Sequence, residues 1–151
     1  MSLNGDKLKD FLIIGIGNPL RCDDGVGPYV ADCIEAKSLS GVKVWITQQL
    51  FIEDLERMLE FKRIILVDAS TDGPAVDFHL VEKAQSQALS SSHHLSAQKF
   101  VNLARSIYQK DVSLYLCSVK GSCFEVGDKL SPDVRQNAQK AVQLICDSLK
   151  G

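Results

Sequence analysis

FLIIGIGNPLRCDDGVGPY, residues Phe11 to Tyr29, decides how the chain is to be read. Leu12, Ile13, Ile14 and Ile16 form a short unbroken apolar run that stops at Gly17, the pattern of a strand covered on both faces. A glycine-rich turn with two adjacent aspartates, Asp23 and Asp24, follows. Pro28 then suits a first helical position, where its missing N–H costs nothing. Val30, Cys33, Ile34 and Lys37 recur at helical spacing, and Gly41 lies past the helix end.

Working outward, Val42 to Thr47 is a β-branched segment that carries the single Trp, Trp45, and predicts a second strand. Ile52 to Phe61 predicts a helix with Leu55, Met58 and Leu59 inward, and Arg63 to Val67 a third strand, an unbroken apolar run after its arginine, ending on Asp68. Strands alternating with helices imply parallel strands joined by right-handed crossovers, with helices on both faces. Val76 to Glu82 alternates apolar and polar residues, as a half-exposed edge strand does. The polar stretch KAQSQALSSS reads as a loop, His94 to Tyr108 as a third helix, and Val112 to Ser118 as a fifth strand. Ser131 as N-cap and Pro132 at the first position open a final helix with Val134, Ala138, Ala141, Val142, Ile145 and Leu149 on one stripe.

At 151 residues one core is expected, and no linker, repeat or low-complexity tract divides the chain. The whole of 1–151 is therefore expected to be a single domain. A net charge of -2 lacks the basic footprint of a nucleic-acid binder. Without an 18-residue apolar run or an apolar N-terminal stretch, no membrane partner is expected and a cytoplasmic protein is. Five cysteines with no C-x-x-C pair are read as reduced thiols rather than a disulfide framework or zinc knuckle.

In open α/β sheets, ligands bind beyond the carboxyl ends of the strands where successive connections diverge. Asp23 and Asp24 follow the first strand and Asp68 closes the third, so both acidic positions would meet at that crevice if the first strand lies between the second and third. Two neighbouring carboxylates do not readily point inward together, so one would face in and one would cap. Each residue also has a plain structural reading: both acids as helix caps, Asp68 as a turn former, His93 and His94 as a solvated pair. If Ser92 caps the third helix, His93 falls in its first turn, where the dipole favours the neutral imidazole that binds metals. His79 is read as exposed on its strand. Two carboxylates and one imidazole would suit zinc or nickel and leave positions open for water or substrate.

The spacing GIGNPLRCDDGVG, then ILVDA, then SHHLS, resembles the hydrogenase maturation proteases, aspartic-type endopeptidases that trim the C-terminus of the [NiFe] hydrogenase large subunit. Their signature G-N-x-L-x-x-D-[DE]-G-x-G is matched at Gly17, Asn18, Leu20, Asp23, Asp24, Gly25 and Gly27, and the likeness continues through FEVGDKLSPDV, residues 124–134. The resemblance implies an α/β three-layer α/β/α sandwich with a five-stranded, mostly parallel mixed sheet in order 2-1-3-5-4, strand 4 antiparallel. It further implies Asp24, Asp68 and His93 as the catalytic and metal-binding residues, with His93 preferred to His94 because His93-His94-Leu95 satisfies the family's His-x-Leu. Asp23 is then left to support the turn.

The metal so implied is nickel brought by the precursor of the hydrogenase large subunit, so the isolated protein need hold none. The partner is that precursor, and a monomer is expected. Many family members carry D-G-G-T after strand two, a segment linked with partner choice, where this chain has Thr47-Gln48-Gln49-Leu50. That form resembles the members serving cytoplasmic, cofactor-coupled hydrogenases. Three other readings compete. A nucleotide-binding doubly wound module is opposed by Leu20, where a third glycine should be, and by two acids that would repel a pyrophosphate. A Cys22 hydrolase needs a histidine within reach. A non-catalytic nickel-site chaperone differs only by the absence of cleavage.

Overall fold

The central strand β1 (Lys9–Ile16) pairs in parallel with β2 (Val42–Thr47) on one side and with β3 (Phe61–Ser70) on the other. Phe11 lies opposite Val42 and Arg63, and Gly15 opposite Ile46 and Val67. Beyond β3, β5 (Ser113–Lys120) continues the parallel sheet, and β4 (Val76–Leu80) runs antiparallel to β5 at the edge. The order is therefore β2-β1-β3-β5-β4, as expected. This computed structural model describes residues 9–82 and 96–150.

Side chains alternate across a strand, so a strand buried on both faces serves two cores at once. Leu12, Ile14 and Ile16 of β1 join Leu55, Met58, Phe100, Val101 and Ala104, contributed largely by α2 (Leu55–Met58) and α3 (Ala97–Tyr108). Ile13 instead joins Val26, Val30 and Ile34 of α1 (Val26–Glu35) and Val134, Ala138, Ala141 and Ile145 of α4 (Pro132–Lys150). Helices thus cover both faces of one sheet, which makes the three-layer α/β/α sandwich.

Several boundaries differ from expectation, each for a tertiary reason. The helix read over Ile52–Phe61 is a 3₁₀ turn at Ile52–Asp54 followed by the single-turn α2. Leu55, Met58 and Leu59 are buried as predicted, but Phe61 belongs to β3, where it pairs with Lys9 and packs edge-on against Trp45, ring centroids 6.3 Å apart. Strand β3 also does not stop at Asp68, because its pairing with β5 carries it to Ser70. On the N-terminal side, a 3₁₀ turn at Cys22–Gly25 starts the helical path earlier, so Pro28 is the third residue of α1 rather than the first. It still falls within the turn whose N–H groups have no intrahelical partner.

Helix α3 is capped by Ser96, whose hydroxyl accepts from Lys99 N–H, and not by Ser92. The stretch holding Ser92, His93 and His94 lies outside the described residues. Ser131 stands just before α4, where its carbonyl accepts from Arg135 N–H at 2.9 Å as an N-cap residue's does, while its hydroxyl donates to Asp23. Strand β4 is half-exposed as expected, with Phe78 stacked on Tyr115, while His79 is exposed and hydrogen-bonded to Asp77 at 2.7 Å.

Candidate active site

Beyond the carboxyl ends of β1, β3 and β5, the loop after β1 folds back over the sheet so that the 3₁₀ turn and α1 start directly on the strands. This requires glycine at two places. Gly17 has a φ of 148°, and a Cβ there would sit 1.9 Å from the Asp24 carbonyl oxygen. A Cβ on Gly27 would come within 2.3 Å of Ile16 O and 2.5 Å of Val67 O, so the first turn of α1 rests on the backbone of both strands.

The two aspartates of the turn diverge. Asp23 is fully buried and accepts four hydrogen bonds: Ser131 N–H to Oδ1 at 2.7 Å, and to Oδ2 those from Ser122 N–H at 2.8 Å, Cys123 N–H at 2.9 Å and the Ser131 hydroxyl at 2.8 Å. Burial opposes its ionisation, but the donors outweigh burial and hold the carboxyl below the usual aspartate range. Its work is to tie the turn to the loop between β5 and α4. The reciprocal bond from Asp23 N–H to Cys123 O, 2.9 Å, completes that tie.

Asp24 is only half-buried, and Asn18 N–H donates to its Oδ2 at 2.7 Å. The Asn18 side chain in turn accepts from Leu20 N–H at 2.9 Å, so this residue shapes the loop and aims the carboxylate. Sequence reasoning had counted Asn18 only as a motif position. Its signal was there in Gly17-Asn18, an amide side chain next to a glycine turn.

Asp68 projects from β3 beside Ser118 of β5, and its Oδ1 accepts from Ala69 N–H at 2.8 Å. Its pKa is pushed up to about 7, chiefly by burial and further by the negative charge of Asp24, against the pull of the Ala69 N–H. The two carboxylates that sequence reasoning selected are thus electrostatically coupled across the switch point. Asp68 also lines a cavity of about 170 Å³ with Ile16, Leu50, Leu66, Ser96 and Leu116. Leu50 comes from the Thr47–Leu50 segment, whose start is bonded to the β1 loop through Gly17 N–H to Thr47 O, 3.0 Å.

A carboxylate pushed toward neutrality by burial, with a second negative charge adding to the push, is a site that a proton or a cation relieves, and its oxygens are suitable donors for a divalent metal. Among the described residues, no group of three His, Cys, Asp or Glu side chains comes together to hold a metal. The third expected ligand, His93, lies outside them. Among the described residues Cys22 neighbours Cys123 and no imidazole, and Cys123, with burial and the nearby acids Asp23 and Glu125, pushes the Cys22 pKa up. That is the opposite of an activated nucleophile.

No protein-family model matches the chain, and no curated protein matches it. Solved structures do. The hydrogenase maturating endopeptidase HybD from E. coli is 19% identical with a TM-score of 0.75, covering 93% of this chain and 92% of its own. The [NiFe] hydrogenase maturation protease HycI from Thermococcus kodakarensis is 20% identical with a TM-score of 0.74, covering 99% and 100%. The hydrogenase 2 maturation peptidase from Thaumarchaeota archaeon SCGC_AB-539-E09 is 24% identical with a TM-score of 0.69, covering 93% and 98%. Over nearly its whole length, then, the chain has the fold seen in the solved structures of hydrogenase maturation endopeptidases.

Proposed function

We propose that the chain is a hydrogenase maturation endopeptidase, removing the C-terminal extension of a [NiFe] hydrogenase large-subunit precursor after nickel has been inserted. The observation that carries the reading is the position of Asp24 in the turn after β1 and of Asp68 near the carboxyl end of the adjacent β3, on the fold those endopeptidases have. In this reading nickel is part of the substrate, and Asp24, Asp68 and His93 are the residues that meet it. Asn18 holds the Asp24 carboxylate, and the Asp23 network holds the turn. Partial burial disfavours the charged form of Asp68, so its carboxyl loses its proton more readily when a cation faces it. Helix α3, which follows His93 in sequence, opens at the cavity that Asp68 lines.

The partner is the precursor protein, with no nucleic acid and no membrane, and the site of action is the cytoplasm. Among the described residues no helix is long and apolar enough to cross a membrane.

The test incubates the protein with nickel-loaded and nickel-free precursor and reads product mass. Cleavage of the loaded form alone is expected, abolished in Asp24→Ala, Asp68→Ala and His93→Ala while each variant keeps its far-UV circular dichroism. Cleavage of both forms would remove nickel as the recognition element. Stable binding of loaded precursor without cleavage would make the protein a nickel-site chaperone.

A further inference from the structure

Cys22 and Cys123 come from different loops, the turn after β1 and the connection from β5 to α4, yet the backbone brings them side by side, and Cys123 acts on the Cys22 thiol more strongly than any other group. The backbone arranges this twice over. Asp23 N–H donates to Cys123 O and Cys123 N–H donates back to the Asp23 carboxylate, both at 2.9 Å, which fixes the residue next to Cys22 against Cys123. Cys22 N–H also donates to Gly127 O at 2.8 Å, and Cys22 takes a left-handed φ of 48°. Gly127 has no side chain, and a Cβ there would lie 2.8 Å from Cys22 Sγ, so the thiol occupies the space that a larger residue would fill. Both cysteines are half-buried, whereas Cys117 is buried in the core.

We propose that Cys22 and Cys123 form an oxidative modification site, a dithiol that a small disulfide such as oxidised glutathione converts to a Cys22–Cys123 disulfide. One cysteine, as thiolate, attacks a glutathione sulfur, forming a mixed disulfide and expelling one glutathione thiolate. The other cysteine attacks the protein-side sulfur of that mixed disulfide and expels the second glutathione. The protein pair gives up two electrons, and the two protons from its thiols end on two glutathione thiols. The new bond would lock the turn that carries Asp24 to the loop already tied to it by Asp23. The site stands on these two loops alone and does not depend on the protease reading.

The experiment exposes the folded protein to oxidised glutathione, then measures intact mass, maps peptides without reduction and follows thermal unfolding. A loss of two hydrogen masses, a linked peptide pair containing Cys22 and Cys123, and reversal by dithiothreitol are expected. Because the link closes a loop of about 100 residues, the unfolding midpoint should rise by roughly 5–15 °C. Cys22→Ser and Cys123→Ser should each form no link and instead retain one glutathione on the remaining member of the pair. A stable glutathione adduct on either cysteine of the native pair, a link through Cys33 or Cys146, or no reaction at these residues would each overturn the proposal.

Discussion

Asp23→Asn exchanges one oxygen of a buried carboxylate for an amide nitrogen while leaving its shape nearly unchanged, so it isolates the charge. The carboxylate accepts one bond at Oδ1 and three at Oδ2. If the amide oxygen keeps the three-bond position, the new NH₂ group points at Ser131 N–H, and one buried bond becomes a donor facing a donor, which costs about 1–3 kcal/mol. The three surviving bonds lose charge assistance, about 1 kcal/mol each. Asparagine is also cheaper to bury than a carboxylate, which offsets part of the loss. The net expectation is a destabilisation of about 2–4 kcal/mol, or a midpoint lower by roughly 5–15 °C for a chain of this size. The folded-state pKa is depressed, so the stability it supplies is present above the unfolded-state value and is lost as pH falls through the folded one. Urea unfolding of wild type and variant at neutral pH and again below about pH 4 therefore gives the measurement, with the gap full at neutral pH and shrinking in acid. A variant within about 0.5 kcal/mol of wild type at neutral pH would show that the network does not carry the turn. A gap that stays constant into acid would show that charge is not what the network uses.

Two further outcomes follow from the same site. Asp68→Asn should stabilise the protein near and above neutral pH: a carboxyl raised to about 7 makes the wild type lose stability as pH climbs from the ordinary aspartate range through neutrality. The shift sets an upper bound on the order of 4 kcal/mol, visible as a wild-type-to-variant difference in urea midpoint that vanishes below about pH 4; a variant no more stable than wild type at pH 8 would contradict it. Gly27→Ala should destabilise by about 3 kcal/mol or more, since its Cβ would press on backbone oxygens of β1 and β3 that no rotamer change can move. Thermal unfolding checks this, and an unchanged midpoint would mean that α1 can lift off the strands freely.

Much of the architecture was legible in the chain. The apolar runs of Leu12–Ile16 and Ile64–Val67 suited strands covered on both faces, and the alternation over Val76 to Glu82 marked the edge strand, which the structure ends at Leu80. The short helix was the weak point. Leu55, Met58 and Leu59 have helical spacing, but spacing cannot tell that Phe61 gains more by pairing in β3 and packing on Trp45 than by extending a helix of one turn. The third helix starts at Ala97 rather than at His94, with the hydroxyl of Ser96, not of Ser92, accepting from the first turn.

In the site, residue types and spacing marked the acids Asp23, Asp24 and Asp68 as candidates, because a D-D-G turn and a strand-ending Asp lie beyond the carboxyl ends of the strands. Their division of labour could not be read there, because adjacent aspartates are alike until distant groups choose between them. Ser122, Cys123 and Ser131, about a hundred residues away, take Asp23 out of solvent and into a structural network. Asn18 N–H holds the Asp24 carboxylate, while burial on β3, with the charge of Asp24 added, raises Asp68. The candidate acids were thus written in the sequence by itself, while which carboxylate holds the fold and which one is raised toward neutrality depends on long-range hydrogen bonds and on burial, and only the tertiary structure supplies those.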